Sequence, residues 1–305
     1  MIITFAFQES RLTSPSDHNP KDYFEHLEIV ALHDSLLQAL GSRWDDYLSL
    51  PSGWDNEITR EIGLSLIIIL KRDFGEAPVF GLKDPRLCRL MPLWFPIFDT
   101  LPAEPHFVLT VRHPWEVAES LARRNGLKAS KSFLLWLDHM LQAESATRGY
   151  KRMFVAFDEV LDNPTAVMTR LQKELAVDPL LRVQAALQNS LEPSLRHHRL
   201  DQEAEVPSLV IDVYDAIKKG DNSSQFVAKL DGLMRQFVCS REVFSPHLES
   251  LETELVHLDK RIGEIEQAAD TAGTTMRLEV FHPVAEDIVA PNLRRAISTA
   301  VPGTA

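Results

Sequence analysis

Two cations stand directly after short apolar runs. Lys83 follows Pro78-Val79-Phe80-Gly81-Leu82, and Arg112 follows His106-Phe107-Val108-Leu109-Thr110-Val111. If each run is a strand of one parallel sheet, its C-terminal residue ends at the edge where such sheets bind ligands. Both side chains then project toward that edge, and two cations there attract an anion. Pro114 opens a helix just after Arg112, so the free N–H groups and positive dipole end of a first helical turn add to the attraction. Ser120 lies about two turns along that helix and can turn its hydroxyl toward the same ligand. The chemistry these residues predict is the binding of an anionic, phosphorylated ligand.

The elements that must position them are legible from pattern. Asn19-Pro20 reads as a cap followed by proline at the first helical position, opening a helix through Tyr23, Leu27 and Leu37 to Gly41. A second helix is predicted from Asn56 to Phe74, ending at Gly75. Strands at 78–82, 106–111 and 153–157 alternate with helices around Leu93 to Leu101, after Pro114, and from Ser130 to about Ala146. Short, continuously apolar strands alternating with helices predict an α/β fold whose parallel sheet is covered on both faces. Beyond Asp178-Pro179 the patterns are helical until a short strand at Arg277 to Phe281. Leu248, Leu251, Leu255, Leu258, Ile262, Ile265 and Ala269 repeat at spacings of three and four, a heptad seam. That seam predicts either a long helix packed on its own domain or a homodimer through residues 248–269. The expected domains are 1–200, α/β; 201–275, a helical extension; and 276–305, a short strand with a loose tail.

The segment from Val108 through Arg112-His113-Pro114 to Ser120 resembles the 3′-phosphate-binding strand and helix of sulfotransferases that use 3′-phosphoadenosine-5′-phosphosulfate (PAPS). In that family an Arg and a Ser eight positions apart hold the cofactor's 3′-phosphate. Phe157-Asp158-Glu159-Val160-Leu161-Asp162-Asn163-Pro164 is similar to the family's next-strand signature. Lys83-Asp84-Pro85-Arg86 and Asn19-Pro20-Lys21-Asp22-Tyr23-Phe24-Glu25 resemble blocks of its bacterial members. The resemblance covers roughly residues 15–200, with four blocks in the family's order. It implies a P-loop-type parallel sheet flanked by helices, PAPS as donor, no metal, and Arg112 and Ser120 as cofactor-binding residues. The implied reaction moves a sulfuryl group to a hydroxyl or amine of a small-molecule or carbohydrate acceptor. A base must take the acceptor proton and a cation must absorb charge on the leaving phosphate. Lys83 is the candidate cation and Glu25 the candidate base; Glu25 and Glu28 share a helix face, with His26 and His33 as alternatives.

One block of the family has no counterpart. The loop between first strand and first helix, whose backbone N–H groups cradle the 5′-phosphosulfate, is not recognisable. Gly273-Thr274-Thr275 follows the heptad helix and reads as its C-terminal turn. Three readings stay open: a chain shortened at its N-terminus, a non-catalytic relative, or a makeshift first strand at Met1 to Phe7 with a loop at Gln8 to Ser16. The first is preferred, because the other blocks are in place.

Charge and composition bound the alternatives. The net charge of −12 argues against a general nucleic-acid coat. Residues 201–305 hold 10 basic and 18 acidic residues, so most of the excess lies there. Residues 80–135 hold eight basic against five acidic, a local positive balance where the anion site is predicted. Cys88 and Cys239 support neither a disulfide framework nor a zinc site and fit a reducing cytoplasm. No signal peptide or membrane span is expected. A P-loop nucleotide kinase would need a Gly-Lys-Ser/Thr that the chain lacks. A non-enzymatic protein assembling through its heptad helix is the other rival. Arg123 and Arg124 read as a helix C-terminal complement, Trp94, Trp115 and Trp136 as core, and residues 194–199 as a basic patch.

Overall fold

Alternation decides which way each strand residue faces, and two strands here show it cleanly. In the computed structural model, which describes residues 25–77, 79–175, 206–271, 276–279 and 296–299, β1 (His106–Val111) pairs in parallel with β2 (Lys151–Ala156). Phe107, Leu109 and Val111 of β1, with Phe154 and Ala156 of β2, enter the main core. Val108, Met153 and Val155 turn to the opposite face and pack against Val167 and Leu171. Both faces are therefore dry, which is why the two strands read as unbroken apolar runs rather than as polar–apolar alternation. The register sets His106 beside Lys151 and Val111 beside Ala156, so both strands end level.

Helices supply the rest. The N-terminal pair is α1 (Leu27–Ala39) and α2 (Glu57–Phe74), followed by α3 (Leu87–Thr100). Between the strands run α4 (Pro114–Asn125) and α5 (Ala129–Ala146); after β2 come α6 (Phe157–Asp162) and α7 (Pro164–Leu175). The chain continues through α8 (Ser208–Lys218) and the 48-residue α9 (Ser224–Thr271) to the antiparallel pair β3 (Met276–Glu279) and β4 (Ala296–Thr299). Several boundaries follow from local chemistry. The Asn56 side chain accepts the Thr59 N–H at 2.9 Å, capping α2, and Asn163 does the same for α7 through Ala166 at 3.0 Å. Gly126, at φ +67°, ends α4 in the left-handed conformation and returns its N–H to Ala122 at 2.8 Å.

The architecture is thus mostly helical with a small parallel sheet, compatible with α/β. It departs from the sequence prediction at 78–82. Among the described residues of that run, 79–82, no strand forms; Val79 is exposed and Phe80 stacks on Phe74 with centroids 5.0 Å apart. Phe80 to Leu82 are partly buried beside an aromatic surface without a ladder partner, and apolarity alone does not distinguish the two outcomes. The predicted strand at 153–157 begins at Lys151 and yields Phe157 to α6, and the helix expected around Leu93 begins at Leu87. The blocks at 19–24 and 194–199, Met1 to Phe7 and Gly273 to Thr275 lie outside the described residues.

Residues assigned from sequence to an extension reach the central core. Val213, Ile217, Phe226, Leu230 and Phe237 of α8 and α9 join the cluster that holds Phe107 and Phe154. Two buried ionic groups tie the same helices down. Asp138 of α5, 1 % exposed, receives Arg241 Nη1 of α9 at 2.6 Å and Gln142 at 2.8 Å, and faces Arg89 Nε of α3 at 3.0 Å. Arg89 also holds the Leu48 carbonyl at 2.6 Å. Glu144 receives Arg152 of β2 at 3.0 Å and Arg148 at 2.6 Å; Arg148 reaches Asp231 of α9 at 2.6 Å. Past Arg241, α9 exposes Val243, Phe244 and Val256, while Leu248, Leu251, Leu255 and Leu258 are half-buried and Ile262 is buried. Among the described residues no helix is long and apolar enough to cross a membrane.

Removing the shared counter-ion tests the ionic tie. Asp138→Ala leaves two cations facing each other in the interior and should cost about 3–5 kcal/mol of unfolding free energy, read from urea denaturation. A loss under about 1 kcal/mol would show that Arg89 and Arg241 find other partners.

Candidate functional site

Chemistry-bearing side chains collect in two places, the first around the turn that opens α3. Asp84 precedes Pro85, and its Oδ1 accepts the Arg86 N–H at 2.9 Å, the local turn an Asp-Pro pair favours. Its other oxygen lies 2.7 Å from His33 Nδ1, and both residues are buried. The Trp94 indole N–H, which can only donate, points to His33 Nε2 at 3.0 Å. The imidazole proton therefore sits on Nδ1 and is donated to Asp84. Burial by itself would push the Asp84 carboxyl up, but the His33 hydrogen bond and the charge and N–H of Arg86 outweigh it and hold the group at about 2.

From this turn Arg86 reaches Asp34 at 2.6 Å and Lys83 reaches Glu25 Oε1 at 2.5 Å. Arg86 Nη1 also stands 3.8 Å from Glu25 Oε2. The two residues predicted for catalysis, 58 positions apart in sequence, are thus brought into direct contact. Lys83 does not follow a strand, because none forms at 79–82. The alternatives to Glu25 have structural work: His26 caps α1 through Ile29 and meets Asp73 at 3.1 Å, and His33 lies in the core.

The second group sits where β1 and β2 end. Because Val111 and Ala156 are register partners, the next residues, Arg112 and Phe157, emerge side by side, with the guanidinium carbon 4.6 Å from the ring centroid. The Trp136 indole donates to the Arg112 carbonyl at 3.1 Å, tying this corner to α5. Arg112 Nε donates to Glu116 at 2.7 Å. Ser120 is exposed one turn beyond Glu116 on α4, which begins at Pro114, two residues after Arg112. Glu116 and Ser120 share a face of α4, and Glu116, a carboxylate the sequence reading passed over, is the residue that meets Arg112 there. The i,i+4 spacing from Arg112 was the signal that could have found it.

Next to this edge, His113 caps α4 by accepting the Trp115 N–H at 3.3 Å and meets Tyr214 of α8 edge-on at 4.9 Å. Burial pushes the His113 imidazole down and the Tyr214 phenol up. Lys218 donates to the Tyr214 hydroxyl at 3.2 Å, which raises the ammonium above its ordinary value, and stands 3.8 Å from Asp158. Among the described residues no group of three or more His, Cys, Asp or Glu could hold a metal ion. Arg112, Ser120 and the neighbouring Lys218 offer donors suited to an anion. Glu116 and Asp158 already hold part of that charge. Comparison of the chain with protein-family models, curated proteins and solved structures finds no match.

Asp84 makes stability depend on acid. Its folded value, about 2, lies below the ordinary 3.8, so the stabilisation is present above about pH 4 and is lost as pH falls toward 2. The difference is worth about 2 kcal/mol. Urea unfolding of the protein should show that loss between pH 4 and 2, and Asp84→Asn should flatten it; equal acid profiles would assign the loss to other carboxylates.

Proposed function

We propose that the chain binds a 3′-phosphorylated adenine nucleotide at the edge formed by Arg112, Phe157 and α4, and that it belongs with the PAPS-dependent sulfotransferases it resembles. The observation that supports this reading is Arg112 at the carboxyl end of a parallel strand, in contact with Glu116 of α4, on which Ser120 is exposed one turn further along the same face. A guanidinium and an exposed hydroxyl are both donors suited to a phosphate group. Fit extends to the 3′ half only: among the described residues no glycine-containing loop joins a strand to a helix, so no cradle for the 5′-phosphosulfate is recognised.

When bound, PAPS supplies the sulfuryl group and its 5′-phosphate is the leaving group. On this reading Arg112 and Ser120 hold the nucleotide, Glu25 takes the proton of an acceptor hydroxyl or amine, and Lys83 offers positive charge. Lys83 and Glu25 neutralise each other at 2.5 Å, so each acts only when the pair parts. Free cysteines, Cys88 buried and Cys239 exposed, accord with a reducing cytoplasm.

Calorimetric titration with 3′-phosphoadenosine-5′-phosphate tests the reading. Saturable binding is expected, weakened about ten- to a hundredfold by Arg112→Ala, the loss of a hydrogen bond to a charged group. Lack of binding by the unaltered protein at about 1 mM, or binding that Arg112→Ala leaves unchanged, overturns it.

A second reading, self-association through residues 248–269, is supported by the exposure of Ile265 and the incomplete burial of Leu248, Leu251, Leu255 and Leu258 along that seam of α9. Sedimentation equilibrium should then give a dimer that Leu255→Glu converts to monomer; a monomer at every concentration removes this reading.

A further inference from the structure

We propose that Glu116 is a built-in competitor for the anion site, so that a ligand binds only if its charge outweighs that of this carboxylate. The inference rests on the proposed 3′-phosphate site and identifies what sets its threshold. Glu116 holds Arg112 Nε at 2.7 Å and is itself largely shielded, its side chain 15 % exposed. It lies in sequence between Arg112, which it contacts, and Ser120, which follows it one turn along the same face of α4; on the proposed reading a phosphate would bridge those two groups. Phe157 lies against the guanidinium at 4.6 Å and the Trp136 indole holds the Arg112 carbonyl, so the cation is anchored against its own acid. An arriving phosphate meets a site whose first positive charge is already matched.

Two consequences follow from charge alone. A carboxylate a few ångströms from a bound anion repels it, with a strength set by the local dielectric. A dianionic phosphate gains more from the cation than a carboxylate does and can displace it, whereas singly charged ligands compete on equal terms and bind weakly. Glu116 thereby makes the site selective for a doubly charged group. Glutamine at the same position keeps an oxygen for Arg112 Nε and the same shape, and removes only the charge.

The test is calorimetric binding of 3′-phosphoadenosine-5′-phosphate, and separately of inorganic phosphate, to the full chain, Glu116→Gln and Arg112→Ala, with thermal unfolding of each variant as the control for folding. Glu116→Gln should tighten nucleotide binding by about tenfold at low salt, a gain that shrinks as salt screens the repulsion. If Arg112→Ala abolishes binding while Glu116→Gln matches or weakens the original affinity, Glu116 merely orients Arg112; the competitor role falls and the nucleotide reading stands. If Glu116→Gln gains inorganic phosphate binding but neither protein takes the nucleotide, the competitor role stands and the nucleotide reading falls. If no form binds either anion, both fall.

Discussion

A carboxylate that is only 2 % exposed must be satisfied by its neighbours, and Asp84 collects three donors from two residues, His33 and Arg86. The His33 imidazole comes from α1, the Arg86 N–H from its own turn, and the Arg86 guanidinium from the start of α3. Because His33 is held in turn by the Trp94 indole, the link runs through the interior from α1 to the middle of α3. Buried charge of this kind stabilises little by comparison with a well-packed apolar replacement, but breaking it is severe. Its effect is to fix geometry: with Asp84 in place, Lys83 and Arg86 have one direction to point, toward Glu25 and Asp34.

The same logic attaches α9. Asp138 and Glu144 are two buried acids on one helix, α5, and each draws arginines from elements on either side. Apolar burial of Phe226, Leu230 and Phe237 brings α9 to the core, and the ion pairs choose its position along and around that surface. Past Arg241 those ties end, and apart from the buried Ile262 the helix shows apolar residues that are half-covered or exposed.

How far the sequence could be read depends on whether a signal was local. The helix start at Asn56, the helix end at Gly126 and the six-residue run at 106–111 are properties of neighbouring residues and appear where expected. The run at 78–82 is equally apolar, yet its described part stacks beside Phe74 instead of pairing, because a strand is made by its partner and not by its own composition. Arg112 and Ser120 were paired by the family resemblance, and the contact of Arg112 with Glu116 lies within the same short stretch of sequence. Arg112 against Phe157 was not legible, since it needs the parallel register that sets Val111 beside Ala156.

By itself, then, the sequence determined the helices α2 to α5, both strands of the parallel pair, the cation at the end of the first and the heptad spacing of α9, since each is written in residues within a few turns of one another; the helix expected from Asn19 begins, among the described residues, only at Leu27. Only the tertiary structure decided that Lys83 closes onto Glu25, that His33 serves Asp84 rather than a substrate, and that α8 and α9 complete the core. Those outcomes join residues tens of positions apart, and which buried charge meets which is settled by packing and desolvation acting on the whole chain at once.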